Sequence, residues 1–322
     1  MSSLLDLLST CPQNPTIGDN LVRSYSKINS SEYSKIICSI SGGADSDVML
    51  DICHKCDHDH KIDYVWYDTG LEYQATKEHL KYLENRYDIS IKRFKAIKPI
   101  PISCKTYGLP FLSKRVSEYI HRLQLHNFTF EDKSFEELYQ QYPKCKTALG
   151  WWCNQHQCDS FNIRYNKLLK EFLIENPPTF PISPMCCQYA KKKVAHAAID
   201  SGDYDLNIYG VRKFEGGTRN TGYHSCFDEK ENGCDHYRPL YWYTNQDRLE
   251  YEQAYSIEHS RCYTEYGLKR TGCAGCPFGR NFEDELQIIK TFEPQLYKAV
   301  NNIFGKSYEY TRQYKEFCQR NS

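Results

Sequence analysis

The run Ser41-Gly42-Gly43-Ala44-Asp45-Ser46 sets two adjacent glycines between serines, where the apolar Ile36, Ile37 and Cys38 give way to Val48, Met49 and Leu50. Glycines let a backbone turn tightly and bring N–H groups close to an anion, serines add hydroxyl donors, and a following helix aims its positive end at the same point. These residues fit a phosphate cradle; the alternative on composition alone is a plain Gly-rich strand-to-helix turn. No Lys-Ser/Thr follows at Walker spacing, and the Gly-x-Gly-x-x-Gly fingerprint is absent. A second chemistry sits in Cys273-Ala-Gly-Cys276, whose two thiolates can share one metal ion. The adjacent pair Cys186-Cys187 supplies two more ligands, and the spacing accepts zinc or an iron–sulfur cluster.

The elements that must hold these residues follow from apolar patterning. Lys35 to Ile40 reads as a buried strand, Asp45 to Cys56 as a helix, and Ile62 to Tyr67 as a second strand ending in Asp68-Thr69-Gly70. Glu72 to Arg86 has helical spacing, and Ile89 to Phe94 reads as a third strand. Such alternation predicts a parallel sheet with crossover helices and a ligand crevice at the carboxyl ends of the strands, where the Ser-Gly-Gly loop and the Asp-Thr-Gly turn both fall. Residues 1–33 read as an N-terminal extension with one short helical pattern. Lys98 to Pro143 is helical and charged, and an amphipathic helix runs through Ile163, Leu168, Leu169, Phe172 and Leu173. Leu206 to Val211 returns to strand patterning, a helix starts at Asn245, and two last helices cover Glu283 to Phe292 and Pro294 to Phe304.

With 322 residues, 40% apolar and 25% charged, the chain is globular and large enough for two modest domains or one extended α/β domain. Its net charge is zero, so any polyanion contact is a local patch. Apolar stretches fall far short of a bilayer span, and Met1 to Thr10 lacks the pattern of a signal peptide, which predicts a cytoplasmic protein without membrane partners. Sixteen cysteines in that setting predict reduced thiols or metal ligands before disulfides. Cys145, Cys153, His156 and Cys158 form another metal-like set beside Trp151 and Trp152, although short cysteine-rich pieces next to tryptophans are often simply buried. Cys226 and Cys234 compete as ligands or as a persulfide carrier. The tract His54 to His60 reads as a solvated connection, and Lys191, Lys192 and Lys193 read chiefly as a solvated helix face.

Ser-Gly-Gly-x-Asp-Ser resembles the PP-loop of ATP pyrophosphatases, which cleave ATP between its α- and β-phosphates to adenylate a substrate. Asp68-Thr69-Gly70 with Glu72 resembles the corresponding segment of the phosphoadenylyl sulfate (PAPS) reductase family, a branch of that superfamily. Cys186-Cys187 with Lys191, Gly210-Val211-Arg212 with Glu215-Gly216-Gly217 and Arg219, and Pro239-Leu240 before Thr244 to Asp247 are similar to that family in the same order, over about residues 35 to 280. The cysteine quartet resembles the [4Fe-4S] ligands of assimilatory adenylyl sulfate reductases.

The resemblance implies an α/β fold, doubly wound around a mostly parallel sheet, adenine nucleotide alpha-hydrolase-like, with helical, cysteine-rich additions. It implies domains at 34–280, with a helical insertion near 98–180, and C-terminal helices at 281–322. Ser41, Gly42, Gly43, Asp45, Ser46, Asp68, Thr69, Gly70, Glu215, Gly216 and Gly217 would bind ATP and Mg²⁺; Asp45, Lys191, Arg212 and Arg219 would act in catalysis; and Cys186, Cys187, Cys273 and Cys276 would hold the cluster, or zinc.

Three departures bear on the activity. Ala190 stands where those reductases carry Arg, and the chain ends Glu316-Phe317-Cys318-Gln319 where reductases have Glu-Cys-Gly. The loop is intact where reductases generally have a degenerate one. The expectation is therefore ATP-dependent adenylation of an acceptor coupled to sulfur transfer. The alternatives are a phosphosulfate reductase releasing sulfite and a non-catalytic nucleotide-binding metalloprotein. Implied partners are an adenine nucleotide, a sulfur or thiol electron donor, an acceptor for which nucleic acid is one class, and a second copy of the chain if it forms a homo-oligomer.

Overall fold

Strand β1, Ile36–Ser39, is almost wholly buried, and its residues alternate between two apolar layers. Ile36 and Cys38 join a layer with Leu21, Ile28, Val48, Ile52, Leu80 and Leu83, while Ile37 joins Val65, Ala198 and Tyr204. A strand covered on both faces has to read as an unbroken apolar run, and this one does. In the computed structural model, residues 3–215, 222–231, 233–279 and 281–321 are described.

On one side of β1 lie β2, Ile62–Asp68, and then β3, Ile91–Lys95. On the other side lie β4, Leu206–Tyr209, then the strand Asp235–Tyr237 and, at the edge, Phe227–Asp228; numbered along the chain, these last two are β6 and β5. The order is β3-β2-β1-β4-β6-β5, parallel throughout except for β5 against β6. Ile36 sits opposite both Ile62 and Leu206. The strand order thus reverses at β1, and a reversal point opens a crevice at the strand's carboxyl end. The fold is α/β and mostly parallel, as the sequence predicts.

Two compact units divide the chain: Met1–Ala96 with Lys191–Gly272, and Ile97–Ala190 with Cys273–Ser322. The first contains the sheet. Residues 1–33 contribute to its core through the helices Leu4–Ser9 and Pro15–Ile28, burying Leu7, Ile17, Leu21 and Ile28. The second of these helices reads as polar, Pro-containing sequence, yet Pro15 is its first residue and the Asn14 side chain caps it by accepting from the Ile17 amide at 3.2 Å.

The described regular structure of the second unit is helical, with one parallel bridge between Leu109 and Ile182. Its core gathers Phe111, Ile120, Leu149, Trp151, Trp152 and Phe172, with Tyr310 from the last helix. The amphipathic pattern through Ile163 yields only the helix Leu169–Glu175, because 3₁₀ turns at Asp159–Phe161 and Ile163–Tyr165 and a positive φ of 53° at Leu168 interrupt it. The last helix is longer than expected, Pro294–Arg320. Among the described residues no helix is long and apolar enough to cross a membrane.

Candidate nucleotide site and cysteine centre

The Ser-Gly-Gly loop leaves the carboxyl end of β1 and enters the helix Ala44–Cys56. Gly42 has φ +68°, where a side chain is strained, and a Cβ there would lie 3.0 Å from Thr76 Cγ2. A Cβ on Gly43 would meet the hydroxyls of Thr271 and Tyr263, each at 3.2 Å. The serines stitch the loop: the Ser41 amide donates to Ser46 Oγ at 2.9 Å, and the Gly43 amide donates to Ser41 Oγ at 3.3 Å. Asp68-Thr69-Gly70 leaves the end of the neighbouring β2. There the Gly70 amide donates to Asp68 Oδ1 at 2.9 Å, Arg93 pairs with Asp68, and the Thr69 hydroxyl donates to Glu72 Oε1 at 2.6 Å. Burial pushes the Glu72 carboxyl up, partly offset by the Lys191 ammonium. Ser41, Trp66, Glu72, Thr76, Lys191 and Thr271 line a cavity of about 150 Å³ at these strand ends.

Arg212 follows β4, so three adjacent strands send residues to one crevice. Its Nε lies 2.9 Å from Asp45 Oδ2, its Nη1 donates to Asn245 Oδ1 at 2.9 Å, and its backbone amide donates to Glu215 Oε1 at 3.3 Å. Gly216, Gly217 and Arg219 lie outside the described residues. A second guanidinium, which the sequence reading passes over, reaches the same carboxylate: Arg248 Nη1 donates to Asp45 Oδ1 at 3.2 Å.

Behind it runs a chain of charges. Arg248 Nε lies 3.1 Å from Glu252 Oε1, Glu252 lies 3.0 Å from His259 Nε2, and His259 Nδ1 lies 2.8 Å from Asp47 Oδ2, which also meets His79 Nε2 at 3.0 Å. Arg212 Nε, Arg248 Nε, His259 Nε2 and His79 Nε2 close at these distances without hydrogen-bond alignment, so for the two arginines and the His259 contact the attraction is mainly Coulombic. Burial works against a charged His259, but the Asp47 and Glu252 carboxylates outweigh it and push its pKa up to about 9. Arg248 begins to be legible only once Thr244 is seen to cap the helix Asn245–Ala254 in a capping box with Asp247; nothing local marks His259.

Cys186, Cys187, Cys273 and Cys276 all belong to the second unit. Cys186 and Cys187 lie on the short turn Met185–Cys187, which packs against the helix Ile100–Tyr107, and Cys104 on that helix is near enough to influence Cys186. The neighbouring Cys104 thiol and burial raise Cys186 well above an ordinary thiol. Burial, with Cys273, Cys187 and Glu285 nearby, pushes Cys276 up to about 12. Gly275, at φ +60°, is held from both sides: its amide donates to Glu285 Oε1 at 3.1 Å, and its carbonyl accepts from the Tyr308 hydroxyl. Five thiols thus form one electrostatic group. Among the described residues no set of three or more His, Cys, Asp or Glu side chains stands at metal-ligating distances. A group made only of thiols nevertheless suits a soft metal that takes the place of their protons.

The other metal-like set is not gathered. Cys145 donates to the Arg122 carbonyl at 3.7 Å, Cys153 donates to the Lys133 carbonyl at 4.0 Å, Cys158 is exposed beside Ser160, and His156 Nε2 is buried without a hydrogen bond. Cys226 and Cys234 belong to the first unit, where burial pushes Cys234 up to about 12.

A glycine-serine loop at the reversal point of a mostly parallel sheet defines an α/β protein with a crevice at the carboxyl ends of its strands. Residues 35–111, which include the loop and the Asp68–Gly70 turn, match the family model described as the phosphoadenosine phosphosulfate reductase domain. Comparison with curated proteins finds no match. Among solved structures, the chain is similar to a phosphoadenylyl-sulfate (PAPS) reductase from Candida auris in a phosphate complex, at 12% identity and TM-score 0.41, over 84% of this chain and 93% of that one. It is similar to a U34-tRNA thiolase from Methanococcus maripaludis with its [4Fe-4S] cluster, at 11% identity and TM-score 0.38, over 94% and 80%. It is also similar to an NH₃-dependent NAD synthetase from Campylobacter jejuni subsp. jejuni NCTC 11168 in complex with nitrate, at 10% identity and TM-score 0.36, over 96% of each chain.

Proposed function

We propose that this chain uses ATP to adenylate an oxygen of an acceptor and then replaces that oxygen with sulfur. The observation that carries the reading is the intact loop, with Gly42 in a conformation that suits glycine and with Arg212 and Arg248 converging on Asp45. Loop N–H groups hold the phosphates, and Asp45 offers a hard oxygen to Mg²⁺. With a metal bound, Asp45 would be one of its ligands, and Arg212 and Arg248 beside it would pair with phosphate oxygens, which suits a guanidinium fork. Lys191, in the cavity wall, balances charge on the nucleotide or acceptor. AMP leaves far more readily than hydroxide, which is what adenylation achieves. Cys186, Cys187, Cys273 and Cys276 would hold the metal centre; when bound there, an iron–sulfur cluster supplies a soft site for sulfur.

A second reading, reduction of a phosphosulfate with release of sulfite, is favoured by the family match over residues 35–111. One assay separates the readings. Anaerobically purified protein receives ATP·Mg²⁺ with candidate acceptors, nucleic acid among them, or adenylyl sulfate or PAPS with a thiol reductant. Pyrophosphate and AMP from ATP support the proposal; sulfite with ATP inert replaces it with reduction; and tight nucleotide binding without either product leaves a binding protein.

A further inference from the structure

We propose that the groove between the helices Ile100–Tyr107 and Pro294–Arg320 binds a small anionic donor of sulfane sulfur, and that Cys104 accepts that sulfur. The inference rests on the sulfur-transfer reading, which needs a donor. The helices border a cavity of about 620 Å³. Pro101, Cys104 and Lys105 share one helix face by their spacing, and Asn301, Gly305 and Lys306 line it from the other helix.

Gly305 keeps the groove open. Glycine inside a helix is less stable than alanine, yet a Cβ here would meet nothing within 4 Å, so packing does not require the small residue. Lys105 and Lys306 are exposed, and neither makes an ion pair with a described residue, so the entrance attracts anions. Cys104, 4% exposed, forms part of the wall, and its helix packs against the short turn Met185–Cys187 that carries two of the grouped cysteines.

With thiosulfate as the donor, Cys104 Sγ attacks the outer sulfur and forms a new S–S bond. The original S–S bond breaks, its electron pair leaves on sulfite, and the thiol proton ends on the terminal sulfur. The balance is Cys–SH + S₂O₃²⁻ → Cys–S–SH + SO₃²⁻, with no external oxidant or reductant. An inorganic polysulfide offers the same sulfane sulfur and leaves as a shorter polysulfide.

The test uses the full-length protein, anaerobic and without ATP, with thiosulfate in one arm and tetrasulfide in the other. Sulfite is quantified and peptides are mapped by mass. A gain of one sulfur on the Cys104 peptide, removable by dithiothreitol, is the expected result in at least one arm, and the arm that works identifies the source. Cys104→Ser abolishes the gain. Gly305→Leu fills the groove with a better helix former and lowers loading by about tenfold or more while the thermal melt holds. Lys105→Glu with Lys306→Glu raises the concentration needed for half-loading about tenfold, an effect that salt diminishes. Sulfur only on other cysteines, no gain in either arm, or loading untouched by both the Gly305 and the lysine variants overturns the inference. Pyrophosphate formation from ATP is measured on the same preparations: if it persists while loading fails, only this inference falls, and the converse removes only the adenylation reading.

Discussion

Asp45 is shared between two guanidiniums, and this sharing decides what single substitutions should do. Arg248→Gln leaves Arg212 in place and should weaken ATP binding by about tenfold, the size of one charge-assisted contact, with adenosine binding unchanged; isothermal titration reads both. His259 gives a pH signature. Its folded pKa of about 9 exceeds the ordinary value of about 6.5. Its contribution to stability is therefore complete below about pH 6.5 and is lost as pH rises through about 9, a loss on the order of 2–3 kcal/mol. Asp47 and Glu252 face its two nitrogens, with His79 beyond Asp47. Buried cysteines such as Cys276 add a fall above their own ordinary pKa, so the measurement is the difference between wild type and His259→Gln in urea melts from pH 6 to 10; a pH-independent difference would refute the assignment. Of this network only Asp45 and Arg212 were legible in the sequence. Asp45 could be read because its partners in the motif are neighbours along the chain, whereas Arg248 and His259 acquire meaning only when the fold brings them to the helix Ala44–Cys56.

At the level of elements, the glycines carry the sharpest expectations. Gly42→Ala puts a Cβ into a left-handed turn and 3.0 Å from Thr76, so it should cost roughly 1–3 kcal/mol and abolish nucleotide binding, as read by urea melts and by titration. Gly275→Ala places a Cβ 2.7 Å from the Tyr308 hydroxyl, in a turn also held by Glu285; it should destabilise the second unit by roughly 2–4 kcal/mol and lower its metal content, measured by melts and by iron and zinc analysis. The strands β1 and β2 were legible because each is a largely buried run ended by turn residues, and β3, none of whose residues is buried, showed only through Ile91 and Phe94. The helix Pro15–Ile28 was not, since its apolar positions Ile17, Leu21 and Ile28 are sparse among polar residues and their value lies in the layer they meet. The pair β5–β6 escaped for a related reason: two and three residues are too few to show a period.

Across the whole molecule, each unit has its own apolar core, and each is assembled from two separated stretches of chain. Hydrogen exchange should therefore answer to two ligands in two places. ATP·Mg²⁺ should slow exchange at Ser41 to Cys56 and around Arg212, whereas stripping the metal with a chelator should speed it at Met185–Cys187 and Cys273 to Cys276; coincident changes in both sets from either treatment would contradict this. The position of β1 also matters during synthesis. One edge of β1 pairs with β2 soon after it emerges, but the other waits for Leu206–Tyr209. At about 5–20 residues per second, the ribosome leaves that row of backbone donors and acceptors open for on the order of ten seconds or more. An unpaired apolar edge is a template for foreign strands, so the yield of this protein in a cell should follow how well its nascent chain is shielded, a property set by the order in which the strands are made.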